Sequence, residues 1–468
     1  MITYFLFQNK NKYIPQRIVI YIFKFYQTII SRENLVSNLH SYIPQIIQDH
    51  IIPNITILPN DLETWEHDNI SYIYDSFNNS EFKDTKRSVI CKFLKQLFEY
   101  KKRENIKLCK KNKLVTKPEY FDTVYNFMIK SLESIEIESK TNTNNSNNKG
   151  RNNIYKEAIF HSLQYLTKCI ETYVRSNEIE AFIYTYVQPE LTSEYGYLRE
   201  KANELLSNFR GLKYKNKTNL ISISTLVCKS LEDTILSVRV KAALCIPILI
   251  SQKEVKELMI PHITDVLTIY LKILREIDLV ELLTGLENIV VVFQDNILNL
   301  AIDFACELTN AFIRTLNSLK NDEETNDYEN SHMIASAGGI LKTLCRLLEI
   351  SLKKDELYYQ IEKVYMYYKT KKLDPIIKWG LSNNDNYNII DEVIDILSIE
   401  VARSPKISEL CWSYFPLIIN YIVGYQNQIE EFKKKFQSGE FEGPGYEIIQ
   451  DFIVIINNYI IRYHSYNK

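Results

Sequence analysis

Glycine and proline are scarce in this chain. Of its 468 residues, 11 are glycine and 12 are proline, so the two types together make 23 of 468. An average protein has more than twice that share, at roughly 12%. So few of these residues leave little room for many tight β-turns or for glycine-rich phosphate-binding loops. The composition therefore favours long helices and weighs against a Rossmann-type nucleotide-binding unit.

An excess of positive charge is also missing. The chain has 56 Lys and Arg residues against 58 Asp and Glu residues, a net charge of −2. Affinity for nucleic-acid backbones comes from basic surface, so this balance weighs against a general nucleic-acid binder. Hydrophobic residues make up 46% of the chain. That share lies in the globular range and is enough to bury a core.

Paired cysteines and long apolar runs are absent as well. The eight cysteines stand singly from Cys91 to Cys411, without a CxxC pair or zinc-ligand spacing. This pattern is typical of small buried apolar groups in a reducing compartment. The most apolar early run, Ile18 to Ile30, contains Lys24 and Gln27, and a bilayer requires about 20 apolar residues. With no secretory signal evident, we predict a soluble intracellular chain without membrane insertion.

The sequence lacks the motifs of the common enzyme classes. It contains no GxSxG, GxxxxGK[ST], HExxH, DFG or GxGxxG pattern, and its seven histidines are dispersed. The acidic cluster from Asp61 to Asp68 has two readings, a carboxylate or metal site, or an inter-helix segment anchored by a buried Trp65. We favour the second reading. The sequence therefore predicts no enzyme, no cofactor and no metal site.

Three segments of unusual composition interrupt the apolar pattern. Residues 141–153 contain seven asparagines in thirteen residues, and residues 321–330 are rich in acids; both are interpreted as disordered surface loops between helices. The run Lys101 to Lys117 has eight basic residues and one acid. It fits either a nucleic-acid contact or localisation signal, or a solvated loop, and the loop is favoured.

An internal repeat is the most informative feature present. The stretch that begins at Tyr195 matches the stretch that begins at Leu236: Arg199 aligns with Arg239, and Ala202 aligns with Ala242, both at an offset of 40 residues. A third copy places Arg87 in the same position. A period near 40 with two helices per unit is typical of HEAT and armadillo arrays.

The repeat predicts a role for each aligned position. A polar residue precedes each arginine by six positions, and these residues are Glu81, Ser193 and Asp233. We expect Arg239 to lie near Ser193 or Asp233 at a repeat junction, with Arg199 one repeat earlier, each pair contributing about 0–1 kcal/mol. The small Ala202 and Ala242 should lie where neighbouring helices pack closely.

These patterns predict an all-α fold over residues 1–468. The expected architecture is a single HEAT/armadillo-like superhelix, a right-handed solenoid of antiparallel helix pairs. At about 40 residues per repeat the chain holds roughly ten to twelve such pairs. Helical spacing continues on both sides of the two predicted loops, so they are not interpreted as domain boundaries.

The order of motifs along the chain resembles a known family. The segments are Tyr13–Ile30, then Leu39–Phe77 with its Trp65, Asp68, Tyr72 and Ile73 spacing, then YVQPELTSEYGYLREKANELLSNF, which ends at Phe209. In this order they resemble the karyopherin-β nuclear transport receptors, in the importin-7/importin-8 branch. The exportin-2 branch shares part of the pattern, and a HEAT scaffold unrelated to transport is the other alternative.

The resemblance implies partners and a location. Such a receptor binds cargo proteins and FG-nucleoporins, responds to the GTPase Ran, and shuttles between cytoplasm and nucleus through the nuclear pore. In that family, several hundred residues precede the matched region and include the principal Ran site. We therefore expect Ran-GTP binding to be weak here, with any residual contact at the acidic loop that contains Asp322, Glu323 and Glu324.

Overall fold

A computed structural model describes most of the first half of the chain and selected segments of the second. The described residues are 14–78, 85–101, 117–141, 146–277, 279–294, 296, 308–314, 337–345, 374–382, 390–403, 407, 409–436 and 447–466. Every regular element within these ranges is a helix, which confirms the predicted all-α fold. The backbone divides into two compact units, Met1–Lys256 and Glu257–Lys468.

The first unit is built from short and medium helices. In chain order they are α1 (Gln16–Ile30), α2 (Glu33–His40), α3 (Ile43–Ile46), a π-turn (Ile47–Ile51), α4 (Ile52–Ile55), α5 (Pro59–His67), α6 (Asn69–Asn78), α7 (Lys86–Glu99), α8 (Phe121–Thr141), α9 (Ser146–Gln164), α10 (Thr167–Tyr173), α11 (Ser176–Phe182), a π-turn (Ile183–Val187), a 3₁₀ turn (Gln188–Thr192), α12 (Gly196–Asn208), α13 (Lys217–Ser230), α14 (Leu236–Leu249) and α15 (Lys253–Met259), which crosses into the second unit.

The second unit continues with the same kind of element. A 3₁₀ turn (Ile260–His262) is followed by α16 (Ile263–Glu276), α17 (Val280–Val292), α18 (Asp374–Ser382), α19 (Ile390–Arg403), α20 (Glu409–Phe436) and α21 (Glu447–Tyr466), and residues 308–314 and 337–345 are also helical. Helix α19 packs on α21, and α18 packs on α20. The acidic loop around Asp322, Glu323 and Glu324 lies outside the described residues.

Apolar stripes at helical spacing determine which face of each helix is buried. On α1 the buried residues recur every three or four positions. This stripe packs on α7, where the rings of Phe23 and Phe93 meet edge to face with centroids 5.3 Å apart. The side chain of Thr85 caps α7 by accepting a hydrogen bond from the backbone N–H of Ser88 at 3.1 Å. No helix in the described ranges has the length and apolarity that a membrane crossing requires.

The repeat found in the sequence corresponds to equivalent helices in the first unit. Its three copies form α7, α12 and α14. Helix α12 packs on α14 along their length and also contacts α9. Ala202 and Ala242 are both fully buried in these helices. Small side chains at these positions allow neighbouring helices to approach closely.

Replacing Ala242 by phenylalanine should destabilise the first unit. The alanine is 0% exposed, so a large ring forces α12 and α14 apart at a cost of about 1–3 kcal/mol. Urea unfolding of the full chain measures this cost as a lower midpoint. The matched control is Ala181→Phe, because Ala181 is an exposed residue on α11. Equal midpoints for the Ala242 variant and the parent protein would contradict the repeat alignment.

The asparagine-rich segment differs from its prediction as a disordered loop. Helix α9 begins at Ser146, inside the predicted loop of residues 141–153. The amide of Asn152 donates a hydrogen bond to the carboxylate of Glu138 at 3.2 Å, and Lys156 pairs with Glu136 at 2.9 Å. These contacts with α8 support the polar first turns of α9. The sequence did not predict a helix here because residues 141–153 contain no large apolar side chain that could anchor one.

Candidate functional site

An arginine ladder joins successive repeat helices. The guanidinium of Arg199 forms a bidentate pair with Asp233, with Nε 2.7 Å from Oδ2 and Nη2 3.0 Å from Oδ1. A third N–H of the same group donates to the backbone carbonyl of Ser193 at 2.8 Å. The side chains of Arg199 and Asp233 are 18% and 10% exposed, so the pair is partly exposed.

The structure gives Arg199 both polar residues of the predicted ladder. Ser193 and Asp233 bond Arg199, and the predicted contact of Arg239 with Ser193 or Asp233 stays a prediction. Arg199 lies at the start of α12, and Asp233 lies in the turn that leads into α14, where it also accepts from the backbone N–H of Ile235 at 3.0 Å. Arg199 therefore reaches forward to the acid that precedes the next repeat helix.

The third aligned arginine has a different partner. Arg87, on α7, donates through Nη2 to both carboxylate oxygens of Glu157 on α9, at 2.7 and 2.9 Å. The Glu157 side chain is fully buried. Burial opposes the charge on Arg87, but the adjacent Glu157 carboxylate more than offsets it and raises the arginine pKa. Residue Glu81, proposed as the polar partner in this copy, lies outside the described residues.

Helices α5 and α6 form a pair that docks across α12 and α14. Trp65 of α5 meets the ring of Tyr197 edge to face, with centroids 6.3 Å apart. Its indole also fills the space beside Gly196, where an added Cβ would lie 2.6 Å from Trp65 Cη2. From α6, Asn69 accepts a hydrogen bond from the backbone N–H of Ser237 at 2.6 Å. Residues 59–78 thus cover repeat helices that follow them by well over 100 positions.

One buried carboxylate accepts hydrogen bonds from both helices of this docked pair. Glu200, 1% exposed on α12, accepts from the indole N–H of Trp65 at 2.5 Å and from the hydroxyl of Ser237 at 2.9 Å. The Tyr72 hydroxyl of α6 lies 3.4 Å from its other oxygen. Glu200 therefore links α5, α6 and α14 to α12, and a longer or shorter side chain could not reach all of them.

A second carboxylate on α12 holds two buried ammonium groups. Glu204 pairs with Lys241 of α14 at 2.7 Å and with Lys201 at 2.5 Å. The Lys241 ammonium also lies over the ring of Phe77 of α6, 4.0 Å from its centroid. Both lysines are about 5% exposed. Glu204 is thus the shared carboxylate partner of two lysines inside the contact between the docked pair and the repeats.

The two carboxylates have opposite pKa shifts. Burial raises the pKa of Glu200, and the neighbouring Lys201 and Lys241 only partly oppose that effect. Burial also acts to raise the pKa of Glu204, but its two lysine partners more than offset it, so its pKa lies well below the usual range. Glu204 is ionised throughout the physiological range, whereas the ionisation of Glu200 has a free-energy cost in the folded state.

Replacing Glu200 by glutamine tests this difference through pH. Because the folded-state pKa of Glu200 is raised, its ionisation reduces stability as the pH rises above about 4.3, the value for an unfolded glutamate. Glutamine keeps an oxygen acceptor for Trp65 but removes the charge. The unfolding midpoint of Glu200→Gln should therefore rise relative to that of the parent protein as the pH increases above about 4.3. A midpoint difference that is the same at pH 4 and at pH 8 would contradict the assignment.

Some residues of this region were predicted from the sequence, and others were not. Trp65 is buried, 7% exposed, as predicted, but the acidic cluster lies inside helix α5 and not between helices, since α5 spans Pro59–His67. Within the described ranges no group of three or more His, Cys, Asp or Glu side chains suits a metal ion. Glu200, Lys201, Glu204 and Lys241 were not predicted. They occur in ordinary helical sequence, and only their long-range partners give them a role.

A family model described as Cse1 matches residues 8–246. The importin beta-like SAD2 homolog of Arabidopsis thaliana is 23% identical over 414 residues, which is 88% of this chain and 37% of that protein. The probable importin-7 homolog of Dictyostelium discoideum is 25% identical over 381 residues, 81% of this chain and 32% of that protein. The chain thus spans about a third of the length of these relatives.

Solved structures share the fold. The bidirectional nuclear transport receptor Lph2 of S. cerevisiae superposes with a TM-score of 0.58 at 13% identity, covering 92% of this chain and 37% of that one. The exportin Cse1 in its cargo-free, cytoplasmic state gives a TM-score of 0.53 at 16% identity, with 95% and 47% of the two chains covered. The helices described above therefore have the arrangement of a HEAT-repeat solenoid.

Proposed function

The chain belongs to the Cse1 family of the importin-β superfamily, in the importin-7/importin-8 branch, and we propose that it is a nuclear transport receptor that binds cargo proteins for import into the nucleus. In this role it moves between cytoplasm and nucleus and catalyses no reaction. The observation that carries the proposal is the family match over residues 8–246, which contains both the docked α5–α6 pair and the repeat helices beneath it.

Exposed apolar side chains on neighbouring helices support nucleoporin binding. Tyr184, in the π-turn after α11, is 50% exposed, and Ile221 on α13 is 40% exposed. Gln188 and Ser222, close to these residues along the chain, are hydrogen-bonded at 3.1 Å. Two apolar groups at one repeat junction offer a contact for the phenylalanine of an FG-repeat. Tyr184→Ser with Ile221→Ser should weaken binding of an FG-repeat peptide while leaving the fold intact.

Ran-GTP binding is the functional test that separates transport roles. The resemblance places the principal Ran site of this family in repeats ahead of the region matched here. We propose that these 468 residues by themselves bind Ran-GTP weakly and that their cargo binding is insensitive to Ran-GTP, because coupling requires two sites on one molecule. Titration with purified Ran-GTP measures this. Submicromolar binding would contradict the expectation and place a Ran site within these residues.

An exportin-like receptor is the second candidate. It is favoured by the family model, whose description, Cse1, is also the name of an exportin among the matched structures. The two roles predict different effects of Ran-GTP on cargo affinity. Ran-GTP should strengthen cargo binding to an exportin-like receptor, whereas it should weaken cargo binding to an importin or leave it unchanged. If the chain binds no Ran, FG-repeat or basic cargo, a scaffold role would replace both proposals.

A further inference from the structure

The connection between α12 and α13 is strongly basic although the chain as a whole is slightly acidic. Within residues 210–217, here named the basic loop, Arg210, Lys213, Lys215 and Lys217 are all exposed and no acid occurs. We propose that the basic loop binds an acidic segment of a partner protein. This surface goes beyond the transport role proposed above, and it is separate from the contact made by Glu200, since the loop residues follow the end of α12 at Asn208.

Buried contacts hold the loop backbone in one conformation. The Glu171 carboxylate accepts from the N–H of Gly211 at 2.8 Å. Glu180, only 5% exposed, accepts from the backbone N–H groups of Lys215 and Asn216. On the other side, the Gln252 amide donates to the carbonyl of Leu212 at 3.0 Å. A loop fixed by both neighbouring repeats loses little conformational entropy when a partner binds.

The cationic side chains of the loop keep most of their charge available. Lys217 pairs with Glu254 at 2.8 Å. Within the described chain, no carboxylate forms an ion pair with Arg210, Lys213 or Lys215. The two acids behind the loop, Glu171 and Glu180, are used by backbone N–H groups instead. When Glu171, Glu180 and Glu254 are all counted against the four cations, the loop keeps an excess of one positive charge.

The spacing of the cations fits an extended acidic peptide. Burial alternates along the loop: Leu212 is buried and Tyr214 is half-buried, whereas Lys213 and Lys215 are exposed. Side chains two positions apart in extended backbone lie about 6–7 Å apart on one side. A peptide with Glu or Asp at every second residue presents carboxylates at the same interval. The loop therefore matches alternating acids better than a single anion.

A protein segment fits this surface better than a nucleic acid does. Binding of single strands combines a basic groove with aromatic rings on which bases stack. The aromatic residue of the loop, Tyr214, is half-buried between the exposed lysines. The loop is also only eight residues long, so it can contact few phosphates. Carboxylates spaced along a peptide require no stacking surface, and a loop of eight residues is long enough to contact several of them.

Fluorescence anisotropy with the full chain tests the proposal. The probe is a labelled peptide of about 12 alternating Glu and Ser residues, with an all-Ser peptide and an oligo(U) strand as comparison ligands. The variant Lys213→Glu/Lys215→Glu reverses two exposed charges. Its control, Lys130→Glu/Lys272→Glu, makes the same change in charge at exposed helical positions. Circular dichroism and unfolding midpoints of both variants establish that they are folded.

We expect the acidic peptide to bind more tightly than the all-Ser peptide, and binding to weaken from low salt to about 0.15 M salt. The Lys213/Lys215 variant should bind the acidic peptide about tenfold or more weakly, and the control variant should bind like the parent protein. Equal losses in both variants would overturn the proposal, because they would indicate a general charge effect. Tighter binding of oligo(U), lost in the same variant, would overturn it in favour of nucleic acid.

Discussion

Replacing Glu204 by leucine is expected to lower the free energy of unfolding by about 3–5 kcal/mol. Glu204 compensates two ammonium groups, those of Lys201 and Lys241, in a contact where both lysines are about 5% exposed. Without the carboxylate, two buried charges lose their partner at once. The measurement is the urea midpoint of the full chain at pH 7, and a midpoint within error of the parent protein would contradict the assignment.

A matched triple variant distinguishes loss of charge balance from loss of packing. Lys201→Met/Glu204→Leu/Lys241→Met removes all three charges and keeps similar side-chain volumes. Replacing buried ion pairs by apolar residues of similar volume is often neutral or stabilising by about 1–4 kcal/mol, and the Glu200 carboxylate that remains keeps its hydrogen bonds from Trp65 and Ser237. The triple variant should therefore be more stable than Glu204→Leu alone. A triple variant as unstable as the single one would indicate that shape, and not charge, explains the loss.

Trp65→Ala should have a comparable effect through a different mechanism. The indole is 7% exposed and packs on Gly196 and Tyr197, so its removal leaves a cavity that costs about 3–5 kcal/mol. The loss of folded structure should begin in the docked pair. Residues 59–78 should become sensitive to limited proteolysis before the rest of the first unit does. Hydrogen exchange of α5 and α6 measures the same release with residue resolution.

Two controls define what Trp65 contributes. Trp65→Phe keeps an aromatic ring but removes the N–H that donates to Glu200, so it should lie between the parent protein and Trp65→Ala. Glu66→Ala changes an exposed neighbour on the same helix and should have little effect, within about 0.5 kcal/mol. Protection of α5 and α6 in Trp65→Ala equal to that of the parent protein would contradict the docking role.

Local periodicity was sufficient to predict the helical class and the alignment of its repeats. Ala202 and Ala242 are small residues at equivalent positions of apolar helices, and that pattern depends only on residues close in the chain. Trp65 was predictable as a buried anchor because a large aromatic residue in an acidic stretch has few other roles. The pairing of the ladder residues was harder to predict. Arg199 pairs with Asp233, 34 residues away, although the repeat pattern was equally compatible with an arginine that contacts the preceding repeat or the following one.

The docking surface was not predictable because its determinants are far apart in sequence. Trp65 and Glu200 are 135 residues apart, and Asn69 and Ser237 are 168 apart. No helical period connects such positions, and a glutamate inside α12 looks like any solvated residue. The start of α9 escaped prediction for a related reason, since its polar first turns are supported by Glu136 and Glu138 of α8 and not by residues of its own.

The docking of α5 and α6 also sets an order of events during synthesis. At about 5–20 residues per second, a ribosome needs roughly 7–27 s to extend the chain over the 135 residues that separate Trp65 from Glu200. Throughout that interval the apolar side of the pair has no surface to cover it. A nascent chain that ends before Gly196 should therefore present residues 59–78 to proteases and chaperones, and should lose that sensitivity once α14 has emerged.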